Sequence, residues 1–85
     1  MELKDTIAGM KSEDYKQRFV AEYRQTKIRY EKLKEFCNKI EAEELMGKEP
    51  PKHDCPLYLL QTHKRNMGMY LHDLEIRAII EDVKL

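Results

Sequence analysis

The stretch Phe19-Val20-Ala21-Glu22-Tyr23-Arg24-Gln25-Thr26-Lys27-Ile28-Arg29-Tyr30-Glu31-Lys32-Leu33-Lys34-Glu35-Phe36-Cys37-Asn38-Lys39-Ile40 decides the fold. Within it Phe19, Tyr23, Thr26, Tyr30, Leu33, Cys37 and Ile40 follow one another at alternating steps of four and three residues. That spacing is the seam of a heptad repeat and puts all seven side chains on one side of an α-helix. Upstream, Ser12 is suited to cap the helix, with Glu13 and Asp14 in a first turn where carboxylates favour the helix dipole. Downstream, Gly47 and then Pro50-Pro51 stop it. The pattern predicts a helix over residues 13–46, roughly 50 Å long at 1.5 Å per residue.

A polar, proline-bracketed link over residues 47–55 follows, and Asp54 or Cys55 can cap a second helix whose first turn tolerates Pro56. This helix is expected over residues 56–82. Leu57, Leu60, Met67, Leu71, Leu74 and Ala78 repeat on one face, while Ile76, Ile79, Ile80 and Val83 add more apolar surface than one partner helix can cover. A short link between long helices makes them antiparallel neighbours. Gly68, in the middle of the second helix, costs about 1 kcal/mol relative to Ala; it either admits a closely approaching backbone or ring, or is simply tolerated. Residues 1–11 read as a short helical segment around residues 4–8, broken at Gly9, that folds over the hairpin or reaches a neighbouring copy. The expected class is all-α: one domain, an antiparallel two-helix hairpin with a short N-terminal helical segment, assembled into a homo-oligomer.

The oligomer follows from size. A chain of 85 residues is too short to bury more than about 60% of its unfolded surface, and copies of itself would supply the missing burial. Charged residues make up 38% of the chain but cancel to a net charge of zero, so any electrostatic function must be local and a nucleic-acid polymer is a poor partner. No apolar run approaches the ~20 residues of a membrane span, and the amino terminus lacks the apolar core of a signal peptide, so no membrane partner and a cytosolic location are expected. Cys37 and Cys55 are too few for a disulfide framework and read as free thiols.

The local charge lies in the first helix. Between residues 16 and 34 it carries Lys16, Arg18, Arg24, Lys27, Arg29, Lys32 and Lys34 against Glu22 and Glu31. The acidic counterweight, Asp73, Glu75, Glu81 and Asp82, returns beside the start of this band in an antiparallel hairpin, so part of the band is expected to be paired. Rings alternate with the bases: Tyr15, Phe19, Tyr23 and Tyr30. Cations for phosphates and flat rings for bases are what a nucleotide needs. Phe19, Tyr23 and Tyr30 belong to the core seam, which leaves Tyr15 as the candidate for stacking a base. His53, Asp54 and Cys55 form a weak metal-ligand group without zinc-site spacing, so no metal is expected. Without a phosphate loop, a nucleophile elbow or a convincing carboxylate pair, the chain does not read as an enzyme.

The motifs Asp14-Tyr15-Lys16-Gln17-Arg18-Phe19, Glu22-Tyr23 and Lys27-Ile28-Arg29-Tyr30-Glu31-Lys32-Leu33, with Leu59-Leu60, Met67, Tyr70, Leu74 and Arg77, resemble the phage helical-hairpin immune-nucleotide sponges. That group takes in anti-CBASS and Thoeris anti-defence hairpin proteins and small proteins related to a crAss-like phage. The likeness spans roughly residues 13–82. It implies a non-catalytic, cofactor-free phage protein of the host cytoplasm. Such proteins form homo-oligomers, often hexamers, and trap a cyclic oligonucleotide or cyclic ADP-ribose derivative between protomers without cleaving it. By the same resemblance Lys27 and Arg77 are phosphate ligands and Tyr15 is the aromatic that covers the ligand; taken with the basic band, Lys27, Arg29 and Arg77 are expected to hold the phosphates. The extended first helix, residues 1–11 and the Pro-Pro link depart from the pattern.

Two other readings compete. The spare apolar face and the methionines at 67 and 69 suit a helical inhibitor docking on a host protein. The basic band suits RNA or DNA, though the neutral whole weakens that reading.

Overall fold

The computed structural model of the chain describes residues 1–85. A 3-10 turn over Leu3–Thr6 runs directly into α1 (Ile7–Met10), followed by α2 (Tyr15–Leu45) and α3 (Leu57–Ile80). α3 packs back along α2 with antiparallel register: Tyr23 faces Glu75, Tyr30 faces Gly68, and Lys16 reaches the Asp82 carbonyl. The long axis of the molecule measures 49 Å, the length expected from the heptad seam.

α2 begins two residues later than the sequence predicts. Asp14 is its N-cap, with its carboxylate accepting the Lys16 N–H at 2.9 Å, so neither acid lies in the first turn. Ser12 is occupied one step upstream: its Oγ accepts the Asp14 N–H at 3.1 Å and donates to Gln17 Oε1 at 2.7 Å. At the far end Gly47 takes φ +73°, with Gly47 N–H bonded to the Glu44 carbonyl and Lys48 N–H to the Glu43 carbonyl. This reciprocal pair satisfies carbonyls that a helix end leaves open, and glycine adopts the required left-handed backbone freely.

α3 starts after Pro56, whose carbonyl receives the Leu59 and Leu60 N–H groups. Its end is built like that of α2, with Val83 N–H bonded to the Ala78 carbonyl at 2.8 Å. Here, however, the left-handed residue is Asp82 at φ 57°. The helix therefore stops at Ile80 rather than continuing to residue 82, and the buried Val83 closes the turn over the core.

The seam is buried at its two ends. Phe19 and Tyr23 join Leu71, Leu74, Ala78 and Val83 in one cluster, and Cys37 and Ile40 are fully enclosed near the link. Thr26, Tyr30 and Leu33, between these ends, are only half-buried, and the Tyr30 ring lies against Gly68, where a Cβ would come 3.2 Å from Cε1. Gly9 does not break the first segment. It lies inside α1, where a Cβ would come 2.8 Å from that of Ala21, so glycine and alanine together let α1 sit tightly on α2. The segment thus folds over its own chain, with its Thr6 buried.

Ten of 85 residues are buried, which confirms how little core one chain assembles. The outer side of α3 is correspondingly apolar: Tyr58, Met69, Ile76, Ile79 and Ile80 are all exposed. At 100° per residue Met69, Ile76 and Ile80 lie nearly opposite Leu71, Leu74 and Ala78, so α3 is apolar on two sides.

Candidate functional site

The hairpin register brings Tyr15, at the start of α2, to the last turn of α3, where Arg77 lies. The Arg77 guanidinium stacks over Phe19 at 4.8 Å from the ring centroid. It also forms the fork of a salt bridge with Glu81, Nε to Oε2 at 2.8 Å and Nη2 to Oε1 at 3.4 Å. The hydrogen bond from Arg77 holds the Glu81 carboxyl below the usual carboxylate range, and Tyr15 and Lys16 act in the same direction. Glu81 in turn raises the Arg77 pKa. An arginine held over a ring, with its fork already matched to a carboxylate, has the geometry that a phosphate also requires. Glu81 occupies that fork in the free chain.

Lys27 stands apart, about 18 Å further along α2 by helical rise. Its ammonium lies 5.8 Å from the Tyr23 ring centroid, a cation over the ring's negative face. Lys27 borders two cavities. One, of about 460 Å³, runs along α2 past Arg24, Ile28 and Lys32 to Met1. The other, of about 210 Å³, opens into the hairpin between Tyr23, Tyr30, Gly68 and Glu75. Arg29 is exposed and lines none of the cavities. Two residues along a helix turn a side chain by about 200°, so Lys27 and Arg29 cannot grip one phosphate from within one chain. Of the four residues singled out in the sequence, the structure joins Tyr15 with Arg77 and separates Lys27 and Arg29.

The basic band is not paired in the way its acids led us to expect. The chain's ion pairs are Lys4 with Glu2 and Arg77 with Glu81. Lys16 and Arg18 donate to carbonyls instead, those of Asp82 and Ser12. Arg24, Lys27, Arg29, Lys32 and Lys34 make no ion pair within the chain. Of the acids expected to meet them, Glu75 accepts from the Tyr23 hydroxyl at 2.6 Å and Glu81 pairs with Arg77, while Glu22, inside the band, accepts from the Tyr70 hydroxyl. The hydrogen bond to Glu75, and then burial and the Glu75 charge, push the Tyr23 phenol up to about 12. Reading the sequence set Glu81 against the basic band of the first helix and not with Arg77, although its four-residue spacing from Arg77 is the spacing of a helical ion pair.

No group of three or more His, Cys, Asp or Glu side chains is arranged to hold a metal ion; His53 Nδ1 instead lies 2.6 Å from the Cys55 carbonyl oxygen. Both cysteines are free thiols. No helix is long and apolar enough to cross a membrane.

A family model described as Sequestin matches residues 13–80. The match takes in α2, the link and α3, and leaves out the 3-10 turn and α1. No curated protein and no solved structure matches the chain.

Proposed function

The chain belongs to the Sequestin family, and from that footing we propose that it is a phage anti-defence protein that sequesters a host immune signalling nucleotide. The ligand in this reading is a cyclic oligonucleotide or a cyclic ADP-ribose derivative, held intact in the host cytoplasm. The observation that carries the reading is the run Arg24, Lys27, Arg29, Lys32 and Lys34, which has no ion pair in its own chain and lies beside tyrosine rings. Unpaired cations next to ring faces favour a ligand that brings both negative charge and flat bases. The family name speaks of sequestering, which requires binding and no turnover.

A homo-oligomer completes the site in this reading. One chain splits Tyr15 and Arg77 from Lys27, and turns Arg29 away; a second copy can set the Tyr15 and Arg77 end of one hairpin against the Lys27 band of another. It would also cover the outer apolar side of α3. Phosphates then meet arginine and lysine from two chains, and Tyr15 stacks on a base. To deprive a receptor of its activator, binding on the scale of ~1 nM, about −12 kcal/mol, is needed.

The test is calorimetric titration of folded, assembled Lys27→Ala and Arg77→Ala proteins with cyclic oligonucleotides and cyclic ADP-ribose isomers. Each substitution is expected to weaken binding of the cognate nucleotide at least tenfold, and parental affinity in both would overturn the site. The exposed Tyr58, Met69, Ile76, Ile79 and Ile80 favour a second reading, an inhibitor that docks this face on a host protein. A stoichiometric protein partner recovered with no retained nucleotide would put that reading first.

A further inference from the structure

The outer side of α3 is built symmetrically about one residue. Met69 is exposed in the middle of this face, and residues of matching character stand at equal distances along the chain to either side of it. Arg65 and Asp73 lie four residues away, Thr62 and Ile76 seven, and Tyr58 and Ile80 eleven. Steps of four, seven and eleven residues all return to within about 40° of the same direction on a helix. These side chains therefore form one stripe, on the side away from Leu71, Leu74 and Ala78, which join Phe19 and Tyr23 in the core. All of them but Thr62 are exposed. The Thr62 hydroxyl already donates to the Tyr58 carbonyl at 2.9 Å, so covering it leaves no donor unsatisfied. Arg65 and Asp73 make no ion pair within the chain.

We propose that this stripe pairs two copies of the chain through antiparallel α3 helices, with a two-fold axis passing between their Met69 side chains. Residues equidistant from Met69 then meet across the axis. Arg65 of each copy faces Asp73 of the second copy, Tyr58 faces Ile80, Thr62 faces Ile76, and the two Met69 side chains pack on each other. The stripe is thus complementary to itself in charge and in apolar character, which is what a two-fold interface between identical chains requires. A parallel pair would instead set Arg65 against Arg65 and Asp73 against Asp73. A slip of four residues would set Arg65 opposite Met69 or Arg77, so the charges select direction and register. An unrelated partner helix would not call for this symmetry, and that assigns the face to a second copy. The pairing gives the self-association expected of so small a core a face, a direction and a register. It leaves α2 and its basic band on the outside, so it stands whether or not the assembly binds a nucleotide.

The experiment joins oxidative cross-linking of the full chain carrying Met69→Cys and Cys55→Ser with sedimentation equilibrium of charge variants, all without nucleotide. Helices packed about 8 to 10 Å apart bring two residues on the axis within reach of a disulfide. Met69→Cys is therefore expected to form a covalent dimer in dilute solution, at least tenfold faster than Lys39→Cys, an exposed position on α2, in the same background. Arg65→Glu and Asp73→Arg should each weaken pairing at least tenfold, and the two together should restore it, because the exchanged charges attract again. Unchanged circular dichroism of each variant shows that the hairpin itself is kept. A monomeric parent, a Met69→Cys chain that links no faster than Lys39→Cys, or a double variant as weak as the single ones overturns the proposal. So does a parent that covers this face only with a host protein. A parent that pairs in this way yet takes up no nucleotide upholds the interface and counts against the sequestering reading alone.

Discussion

The Tyr23 hydroxyl donates a 2.6 Å hydrogen bond to Glu75 across the hairpin, joining residues 52 positions apart in the chain. With the Tyr70 to Glu22 bond it forms a crossed pair, each helix giving one phenol and taking one. Such bonds fix the register of two helices whose apolar contact is narrow, and they consume the carboxylates that would otherwise neutralise the basic band. Tyr23→Phe is expected to lower stability by about 1 kcal/mol, the net value of one hydrogen bond. The pH dependence has a definite sign. Because the phenol is raised from 10.0 to about 12 in the folded chain, the contribution of this bond is present in full below pH 10 and disappears as pH rises through 12. Urea denaturation of both proteins from pH 8 to 12 should show a stability difference that is constant at first and then closes.

Glu81 and Arg77 make the opposite kind of pair, one that a phosphate would have to break in the proposed sequestering reading. Glu81→Gln keeps the shape of the side chain but removes the charge that competes with phosphate for the guanidinium fork. Nucleotide affinity, measured by calorimetry, is expected to rise severalfold in this variant. An unchanged or weakened affinity would mean that Arg77 does not receive the phosphate.

At the end of α3, Asp82 holds a left-handed backbone at φ 57° that glycine adopts without penalty. It also places a negative charge at a helix carboxyl end, the unfavourable pole for it. Lys16 bonds its carbonyl rather than its side chain, so little is lost on substitution. Asp82→Gly should stabilise the fold by ~0.5–1 kcal/mol, read as a higher urea midpoint with unchanged slope.

The core is small enough that one deletion is decisive. Leu74 is 3% exposed and sits in a cluster of six buried residues. Leu74→Ala is expected to cost about 3 kcal/mol, counting lost burial and the cavity left behind. Circular dichroism should then show most of the helix signal melting at a much lower temperature. The exposed Ile79→Ala should change stability by less than ~0.5 kcal/mol in the isolated chain, and more where copies assemble over that face.

The long helices were legible because apolar spacing of four and three residues has only one helical meaning, and Phe19, Tyr23, Cys37 and Ile40 are buried as that spacing requires. The caps were less legible because Ser12 and Asp14 both suit the role, and only the Ser12 bond to Gln17 shows which one is already engaged. Gly9 carried a real signal with two meanings. A glycine in a short segment reads as a break, whereas its use here is close approach to Ala21, which lies on another element. The same ambiguity at Gly68 resolves in favour of the ring, since it faces Tyr30. For the site, Tyr15 and Arg77 meet because the hairpin register brings the two ends together. Lys27 and Arg29, adjacent in the motif, diverge because a helix turns through more than half a circle over two residues. Composition could not reveal that Glu22 and Glu75 bond to tyrosines, since that depends on which side chains the two helices place opposite one another.

Native mass spectrometry of the protein before and after mixing with cyclic oligonucleotides and cyclic ADP-ribose isomers tests the sequestering reading most directly. The account predicts a closed assembly of identical chains that gains intact nucleotide at a fixed ratio and releases it unchanged on denaturation. An assembly or a monomer that takes up none of these nucleotides, or one that returns them chemically altered, would contradict it.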